Sequence, residues 1–223
     1  MNVSEALLTR SSKRRFTSRS IPRAVAGEIL EIALRTPSGG NLQPWHVYVL
    51  DGEPLSGLID AIADSLAVTP EGDGSEYLIY PPDLKQPYRG RRSRNGEMLY
   101  ACLGIPRDDR QGRRANFERN YRFFDAPMAF IFTIDRCMQQ GQWADLGMFI
   151  QSVMLLAHER GLGTCPLESV SVWHRHIRRA CEIPEVQIVF CGMAIGWADP
   201  AAAVNTLVTE RASLEEVVTF VGR

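Results

Sequence analysis

The sequence predicts one α+β domain spanning residues 1–223. Helix-like and strand-like segments mix too irregularly for a doubly wound parallel sheet, which needs repeated β-α-β units. Two apolar runs, Met128 to Ile134 and Val186 to Ile195, are typical of buried central strands. The composition, with 45% hydrophobic and 23% charged residues, excludes collagen-like and wholly disordered chains.

The first half of the chain predicts three helices and one strand. Residues 4–9 predict a short helix, and Pro22 opens a second helix that ends near Pro37. Residues 47–50 form an apolar run that predicts a strand. The next helix is amphipathic, with apolar side chains at helical spacing: Leu55, Leu58, Ile59, Ile62 and Leu66.

An irregular basic insertion is predicted over about residues 69–122. Between 69 and 95, proline and glycine interrupt every periodic pattern, so we expect a long functional or mobile loop, either a lid or a dimer arm. Residues 85–122 hold eleven Lys and Arg against four Asp and Glu, although the whole chain has a net charge of −1. Such a patch attracts anions: a carboxylated substrate, the phosphates of a nicotinamide cofactor, or RNA. A merely solvated surface is the alternative.

Further elements are predicted in the second half. Residues 98–103 predict a helical turn, and residues 143–160 predict the longest helix. Because its apolar side chains lie nearly all round, we expect that helix to be buried, at a subunit interface. Residues 163–169 read as a connector, and residues 173–181 predict a helix with a polar face.

The last residues, about 198–223, are predicted to form a C-terminal arm. Ser213 followed by Glu216 has the spacing of a capping box, which predicts a final helix. Its apolar side chains are expected to point inward: Leu214, Val217, Val218 and Val221.

Several classes of protein and site are disfavoured. No apolar run approaches the roughly 20 residues of a spanning helix, and no signal peptide is recognisable. The five cysteines include no C-x-x-C pair, which indicates reduced thiols, a cytoplasmic location and no structural metal. His174 and His176 are two residues apart, and such residues point to different sides of a helix. No G-x-G-x-x-G or G-x-x-x-x-G-K-[ST] motif for nucleotide binding is present.

Three segments have compositions that favour ligand binding. Residues 10–16 contain four cations and two serines, a mixture suited to a phosphate, although a solvated basic stretch is the alternative. Residues 37–46 combine two glycines, which allow close backbone approach, with two amide side chains and a tryptophan. Residues 163–169 could lay main-chain N–H groups against a flat ring.

These segments together resemble the FMN-dependent nitroreductase family over almost the whole chain. Residues 10–16, Arg-Ser-Ser-Lys-Arg-Arg-Phe, are similar to its R-x-S-x-[RK]-x-F motif. Residues 37–45 match its P-S-x-x-N-x-Q-P-W loop, which is highly specific, and residues 165–169 are similar to its flavin-facing loop. Residues 192–200 with Asn205 and Arg211 match its C-terminal run. The middle of the chain resembles the branch that includes nitrobenzoate reductases.

The resemblance implies a three-layer sandwich with a central, mostly antiparallel sheet flanked by helices. It also implies an intertwined homodimer with FMN at the interface. One subunit would hold the phosphate, the ribityl chain and the ring edge through Arg10, Ser11, Ser12, Arg14 and Arg211. The other would supply Pro37, Ser38, Gly39, Asn41 and Gln43. The ring would lie against Pro166, Leu167, Glu168 and Ser169. Thr209 stands where some members carry a lysine.

The implied activity is the reduction of nitroaromatic or related electron-poor acceptors by NAD(P)H, in a ping-pong cycle carried by FMN. We expect no catalytic side chain and no metal, a small-molecule acceptor, and neither nucleic acid nor membrane as partner. Tyr88, Phe123 and Phe124 are candidates to stack on the acceptor, and Arg89 or Arg94 to pair with its carboxylate. The alternatives are a flavin-dependent dehalogenase or another dehydrogenase of the superfamily and, more distantly, an anion- or RNA-binding protein. The sequence leaves the physiological acceptor and the choice between NADH and NADPH open.

Overall fold

The computed structural model describes residues 1–222 and confirms an α+β architecture. Its sheet has four strands in the order β1-β2-β4-β3, and every neighbouring pair is antiparallel. In chain order the strands are β1 (Trp45–Asp51), β2 (Met128–Asp135), β3 (Gly163–Leu167) and β4 (Gln187–Gly196). The two apolar runs of the sequence are thus the two central strands, as predicted.

Eight α-helices surround this sheet in the described residues. They are α1 (Val3–Thr9), α2 (Arg23–Ala33), α3 (Gly52–Leu66), α4 (Tyr88–Cys102), α5 (Arg110–Glu118), α6 (Gln140–Glu159), α7 (His174–Cys181) and α8 (Leu214–Val217). Short 3₁₀ segments precede β1, β2 and α7. None of these helices combines the length and apolar character needed to cross a bilayer.

The core lies in two layers, one on each face of the sheet. Side chains alternate along β2, so that Ala129 and Ile131 face one layer while Phe130 and Phe132 face the other. The first layer contains apolar residues of α3 and α7, and the second contains those of α2 and α6. Helices therefore cover both faces, which confirms the three-layer sandwich.

The basic insertion is more helical than the sequence suggests. Helix α4 begins at Tyr88, within the predicted loop, and the predicted turn at 98–103 is largely its C-terminal part. Helix α5 has no counterpart in the sequence prediction. Neither helix has a buried residue, so no apolar stripe marks them in the sequence.

Two other predictions are wrong in detail. Residues 163–167 form the edge strand β3 rather than a connector, and the edge position accommodates Pro166. Ser213 caps α8 as predicted, but this helix has only four residues. The side chains expected to point inward are exposed, because no other element within residues 1–222 covers them: Leu214, Val217, Val218 and Val221.

Candidate functional site

The basic N-terminal segment lies along β3 and the end of β4. Ser12 forms a parallel bridge with Thr164, and the backbone N–H of Lys13 donates to the Thr164 carbonyl at 2.9 Å. Further along, Phe16 pairs with Ala198. The segment is therefore fixed by main-chain hydrogen bonds, and its side chains stand at defined positions along the sheet edge.

Two glycines allow this close approach. A Cβ atom added to Gly163 would lie 2.7 Å from Cγ of Lys13. One added to Gly196 would lie 2.9 Å from the ring of Phe16 and 2.7 Å from Cδ of Pro127. Because real Cβ contacts are longer, only glycine lets the N-terminal segment pack so tightly against these strands.

Asn205 joins the N-terminal segment to the C-terminal run. Its buried side chain accepts a hydrogen bond from the Arg14 N–H at 2.8 Å and donates to the Arg15 carbonyl at 2.8 Å and the Asp199 carbonyl at 2.9 Å. The ammonium group of Lys13 also donates to the Asn205 carbonyl at 2.8 Å. The N-terminal segment and the C-terminal run, both parts of the predicted cofactor site, are thus joined by hydrogen bonds.

A cluster of cations without acidic partners lies on this unit. Within residues 1–222, no carboxylate oxygen comes within 4.0 Å of a side-chain nitrogen of four residues: Arg10, Lys13, Arg14 and Arg211. Burial, reinforced by the charge of Arg211, lowers the pKa of Arg10, and burial together with Arg10 lowers the pKa of Lys13. Half-buried cations that repel one another form an environment that favours a polyanionic ligand.

Thr209 adds no charge to the site, but its hydroxyl accepts a hydrogen bond from Arg211. The Arg211 guanidinium donates to the Thr209 hydroxyl and also to the backbone carbonyls of Thr209, at 3.1 Å, and Glu210, at 2.9 Å. Threonine in place of the lysine of some family members therefore means one cation fewer at position 209 and a fixed orientation for Arg211.

The loop after α2 is strained and exposes its amide side chains. Three of its residues have positive φ: Gly40 at 59°, Asn41 at 57° and Gln43 at 51°. The Ser38 hydroxyl accepts from the Gln43 N–H at 2.9 Å, and the buried Asp145 carboxylate accepts from the Gly39 N–H at 3.1 Å. Left-handed conformations in non-glycine residues are costly and cluster at ligand sites.

The structure brings two of the three predicted segments together. Ser12 and the charges of Arg10 and Arg14 lie near the buried thiol of Cys165, whose pKa is raised by burial. Next to it along the chain, Pro166 and Leu167 end β3, followed by Glu168 and Ser169. The loop of Pro37, Ser38, Gly39, Asn41 and Gln43 makes no hydrogen bond to residues 10–14 in the part of the chain described.

The predicted acceptor residues lie in different environments. Tyr88 and Arg89 are exposed at the start of α4. Phe123 and Phe124 are 0% and 2% exposed and belong to the core. The prediction that these rings stack on an acceptor therefore has no support in this chain, because core packing encloses them. Arg94 is also engaged, since it pairs with Glu210 at 2.9 Å.

The sequence prediction does not include Lys13, Asn205 and Asp145 among the site residues. In the sequence, Lys13 is noted only as one cation of the basic segment. Its place between Ser12 and Arg14, two predicted site residues, could have marked it as a further candidate. Asp145 offers a signal of its own, because it is an acid within the largely apolar α6 and is 6% exposed. His176 has a local role, since it contacts Ser65 at 2.8 Å and Asp73 at 3.3 Å.

The fold and site define a class of protein in which helices cover both faces of an antiparallel sheet and a cluster of cations suited to a polyanion lies beside the sheet edge. The family model "Nitroreductase family" matches residues 7–197, and the chain belongs to this family. It is 39% identical to the chloronitrobenzene nitroreductase of Comamonas testosteroni over 98% of this chain and 96% of that one. It is 36% identical to the 4-nitrobenzoate reductase of Pseudomonas putida over 96% and 93%.

Solved structures give the same result. The chain resembles the FMN and NADPH-dependent nitroreductase NfnB of Sphigopyxis sp. strain HMH with a TM-score of 0.97 and 46% identity, over 100% of both chains. It also resembles the FMN-dependent NfnB of Mycobacterium smegmatis, solved with NADPH, with a TM-score of 0.92 and 26% identity over 99% and 100%. The predicted family and fold are thus confirmed.

Proposed function

We propose that this protein is an FMN-dependent, NAD(P)H-oxidising nitroreductase that acts on nitroaromatic compounds. The observation that carries the proposal is the group of mutually repelling cations, Arg10, Lys13 and Arg211, on a fixed backbone. Relatives named for chloronitrobenzene, nitrobenzene and 4-nitrobenzoate support the choice of acceptor.

The chemistry of these residues fits FMN. Arg10, Ser11, Ser12 and Arg211 would hold its phosphate, because a dianion takes charge-assisted and hydroxyl hydrogen bonds. Arg14 would lie at the pyrimidine edge of the ring, where a cation favours added negative charge. Main-chain groups would line the ring at the end of β3: Pro166, Leu167, Glu168 and Ser169.

A homodimer would complete each site. Pro37, Ser38, Gly39, Asn41 and Gln43 would reach the cofactor from the partner subunit. The exposure of the Asn41 and Gln43 amides supports the arrangement, because the one hydrogen bond that these amide groups make within residues 1–222 is the weak one from Gln43 to the Asn41 carbonyl, at 3.3 Å. The exposed apolar side chains of the C-terminal arm support it too, because a second subunit would cover them: Leu214, Val217, Phe220 and Val221.

When bound, FMN supplies the hydride chemistry that no side chain can perform. The protein would bind the phosphate, fix the ring edge and leave one opening for reductant and acceptor to occupy in turn. No side-chain acid or base is needed at that opening, so we assign no catalytic residue. Because reductant and acceptor would use the same opening in turn, we expect ping-pong kinetics.

Tyr88 and Arg89 would form the acceptor side of this opening. Both are exposed and adjacent at the start of α4, where a ring and a cation suit a nitroaromatic carboxylate. Two further structures of the Sphigopyxis enzyme carry a tyrosine replaced by phenylalanine or alanine. If Arg89→Ala leaves the preference for 4-nitrobenzoate over nitrobenzene unchanged, Arg89 has no role in acceptor choice.

Steady-state kinetics test the proposal. The FMN-loaded protein is assayed with varied NADPH at several fixed concentrations of 4-nitrobenzoate and of nitrobenzene. We expect turnover with parallel double-reciprocal lines. Intersecting lines would contradict the ping-pong cycle, and halide release from a halogenated phenol without nitro reduction would favour the dehalogenase alternative.

A further inference from the structure

Helix α4 carries arginines of two kinds. Arg91 and Arg94 face the C-terminal arm and are neutralised there by Glu216, at 3.1 Å, and Glu210, at 2.9 Å. Arg89 and Arg92 line a separate cleft. Within residues 1–222, neither has a carboxylate oxygen within 4.0 Å. One helix therefore has a charge-paired side and an unpaired side.

The unpaired side borders a cavity of about 550 Å³. Residues 82–84 of the loop before α4 also line it, together with Arg107 and, from α5, Arg113. The cleft has four arginines against two carboxylates, Asp83 and Glu97. Asp83 also pairs with Lys85, at 3.7 Å, outside the cleft lining. A net positive charge of about two remains in a concave space.

Two of the arginines are held in fixed orientations. The guanidinium of Arg92 lies 4.2 Å from the ring centre of Tyr80, and that of Arg113 lies 4.1 Å from the ring centre of Tyr100. Arg113 also donates through Nε to the Pro106 carbonyl at 3.1 Å. Stacking on a ring occupies the face of a guanidinium and leaves in the plane the N–H groups that can bind an oxyanion, which in Arg113 are those other than Nε–H.

We propose that this cleft binds the 2′-phosphate of NADPH and thereby makes the enzyme prefer NADPH to NADH. A phosphomonoester carries a charge of about −1.5 to −2 at neutral pH, which matches the excess in the cleft. Arginine forks recognise such a group bidentately. The inference rests on the proposed function, which supplies the reductant as a ligand.

The position of the cleft agrees with this assignment. Arg89 and Arg92 lie within about one turn of Tyr88, the proposed acceptor residue, because a helix rises about 1.5 Å per residue. A dinucleotide whose nicotinamide enters beside Tyr88 would bring its adenosine end towards the same helix. The cleft would then discriminate between reductants without the nucleotide motif that the sequence lacks.

The kinetic test compares NADPH with NADH in the FMN-loaded enzyme. We expect Arg92→Ala and Arg113→Ala each to raise KM for NADPH about tenfold, the loss of one charge-assisted hydrogen bond. KM for NADH and both kcat values should change less than about twofold. Arg114→Ala is the matched control, because it removes a neighbouring charge that pairs with Glu118 outside the cleft. Equal losses with both reductants, or none with either, would overturn the proposal.

A binding test separates this proposal from the proposed function. Adenosine 2′,5′-bisphosphate, 5′-AMP and inorganic phosphate are titrated calorimetrically into the FMN-loaded wild type and the R92A/R113A double variant. The first two probes differ only by the 2′-phosphate. We expect the bisphosphate to bind the wild type at least about tenfold more tightly than 5′-AMP and to lose this advantage in the variant. Equal binding of all three probes would mean a general anion surface and overturn the assignment. Because this readout needs no turnover, a failure of nitro reduction would leave it interpretable.

Discussion

The proposed cofactor region, which comprises residues 10–16, β3 and the C-terminal run from 192 to 211, and the basic insertion are held in place in opposite ways. The N-terminal segment is fixed by β-bridges, two tight glycines and the buried amide of Asn205. Helices α4 and α5 contain no buried residue, and α4 reaches the C-terminal arm through exposed ion pairs. Rigid packing suits a ligand that never changes, whereas a polar surface is easily altered to suit different substrates.

The largest expected effect is on FMN binding. Arg10→Ala and Arg211→Ala each remove a charge-assisted contact to the proposed phosphate site, worth about 1.5–3 kcal/mol. Each should raise Kd for FMN by about 10- to 100-fold in a fluorescence titration of the cofactor-free protein. Arg35→Ala, at the exposed end of α2, is the control and should leave Kd unchanged. Unchanged FMN affinity in both site variants would contradict the assignment of the phosphate site to Arg10 and Arg211.

Removing Asn205 should affect both stability and the cofactor. Asn205→Ala deletes three side-chain hydrogen bonds and leaves the Arg14 N–H and two carbonyls without their partner. We expect the free energy of unfolding to fall by about 3 kcal/mol, measured by urea denaturation of the cofactor-free protein. FMN affinity should fall with it. A stable variant with normal FMN affinity would show that the N-terminal segment is held without Asn205.

The segment before α4 contains a buried anchor, the Glu76 side chain, whose contribution to stability a pH experiment can isolate. The Glu76 carboxylate accepts from Arg136, Arg178 and the Val189 N–H. Burial raises the pKa of Glu76, but the hydrogen bonds from Arg136 and Val189 and the charge of His174 outweigh it and lower the pKa below 4.5. Because the folded pKa is depressed, this stabilisation is present above pH 4.5 and is lost as the pH falls further.

In the Glu76→Gln variant, the free energy of unfolding should therefore fall less steeply as the pH is lowered. Unfolding of wild type and variant is measured at intervals between about pH 7 and pH 3, and the variant should lose less stability below pH 4.5. Glu185→Gln is the matched control, since that carboxylate contacts Arg178 from a side chain that is 86% exposed. An acid limb identical to that of the wild type would contradict the assignment to Glu76.

The smallest effect is expected at the link between α4 and the arm. Arg94→Ala breaks an exposed pair with Glu210, next in the chain to Arg211. Exposed pairs contribute little, so FMN affinity should fall less than about fivefold. If Arg94→Ala lowers FMN affinity as much as Arg211→Ala does, the pair with Glu210 fixes the C-terminal arm as firmly as the proposed cofactor region is fixed.

The same contrast explains what the sequence could predict. The central strands and the covering helices follow from apolar periodicity, and the proposed cofactor residues come from specific motifs. Helix α4 could not be predicted, because a helix that is polar all round leaves no stripe to detect. The short strand β3 contains a glycine and a proline, which normally indicate a turn. The burial of Phe124 depends on three consecutive positive φ angles, from Phe123 to Asp125, that no propensity indicates.

The visible absorption spectrum of the purified protein, before and after NADPH is added without air, tests the central claim most directly. We predict a flavin spectrum with about one FMN per chain that bleaches on addition of NADPH. A colourless protein that also fails to take up added FMN would contradict the cofactor site. The basic insertion would then be the main candidate for a ligand-binding function.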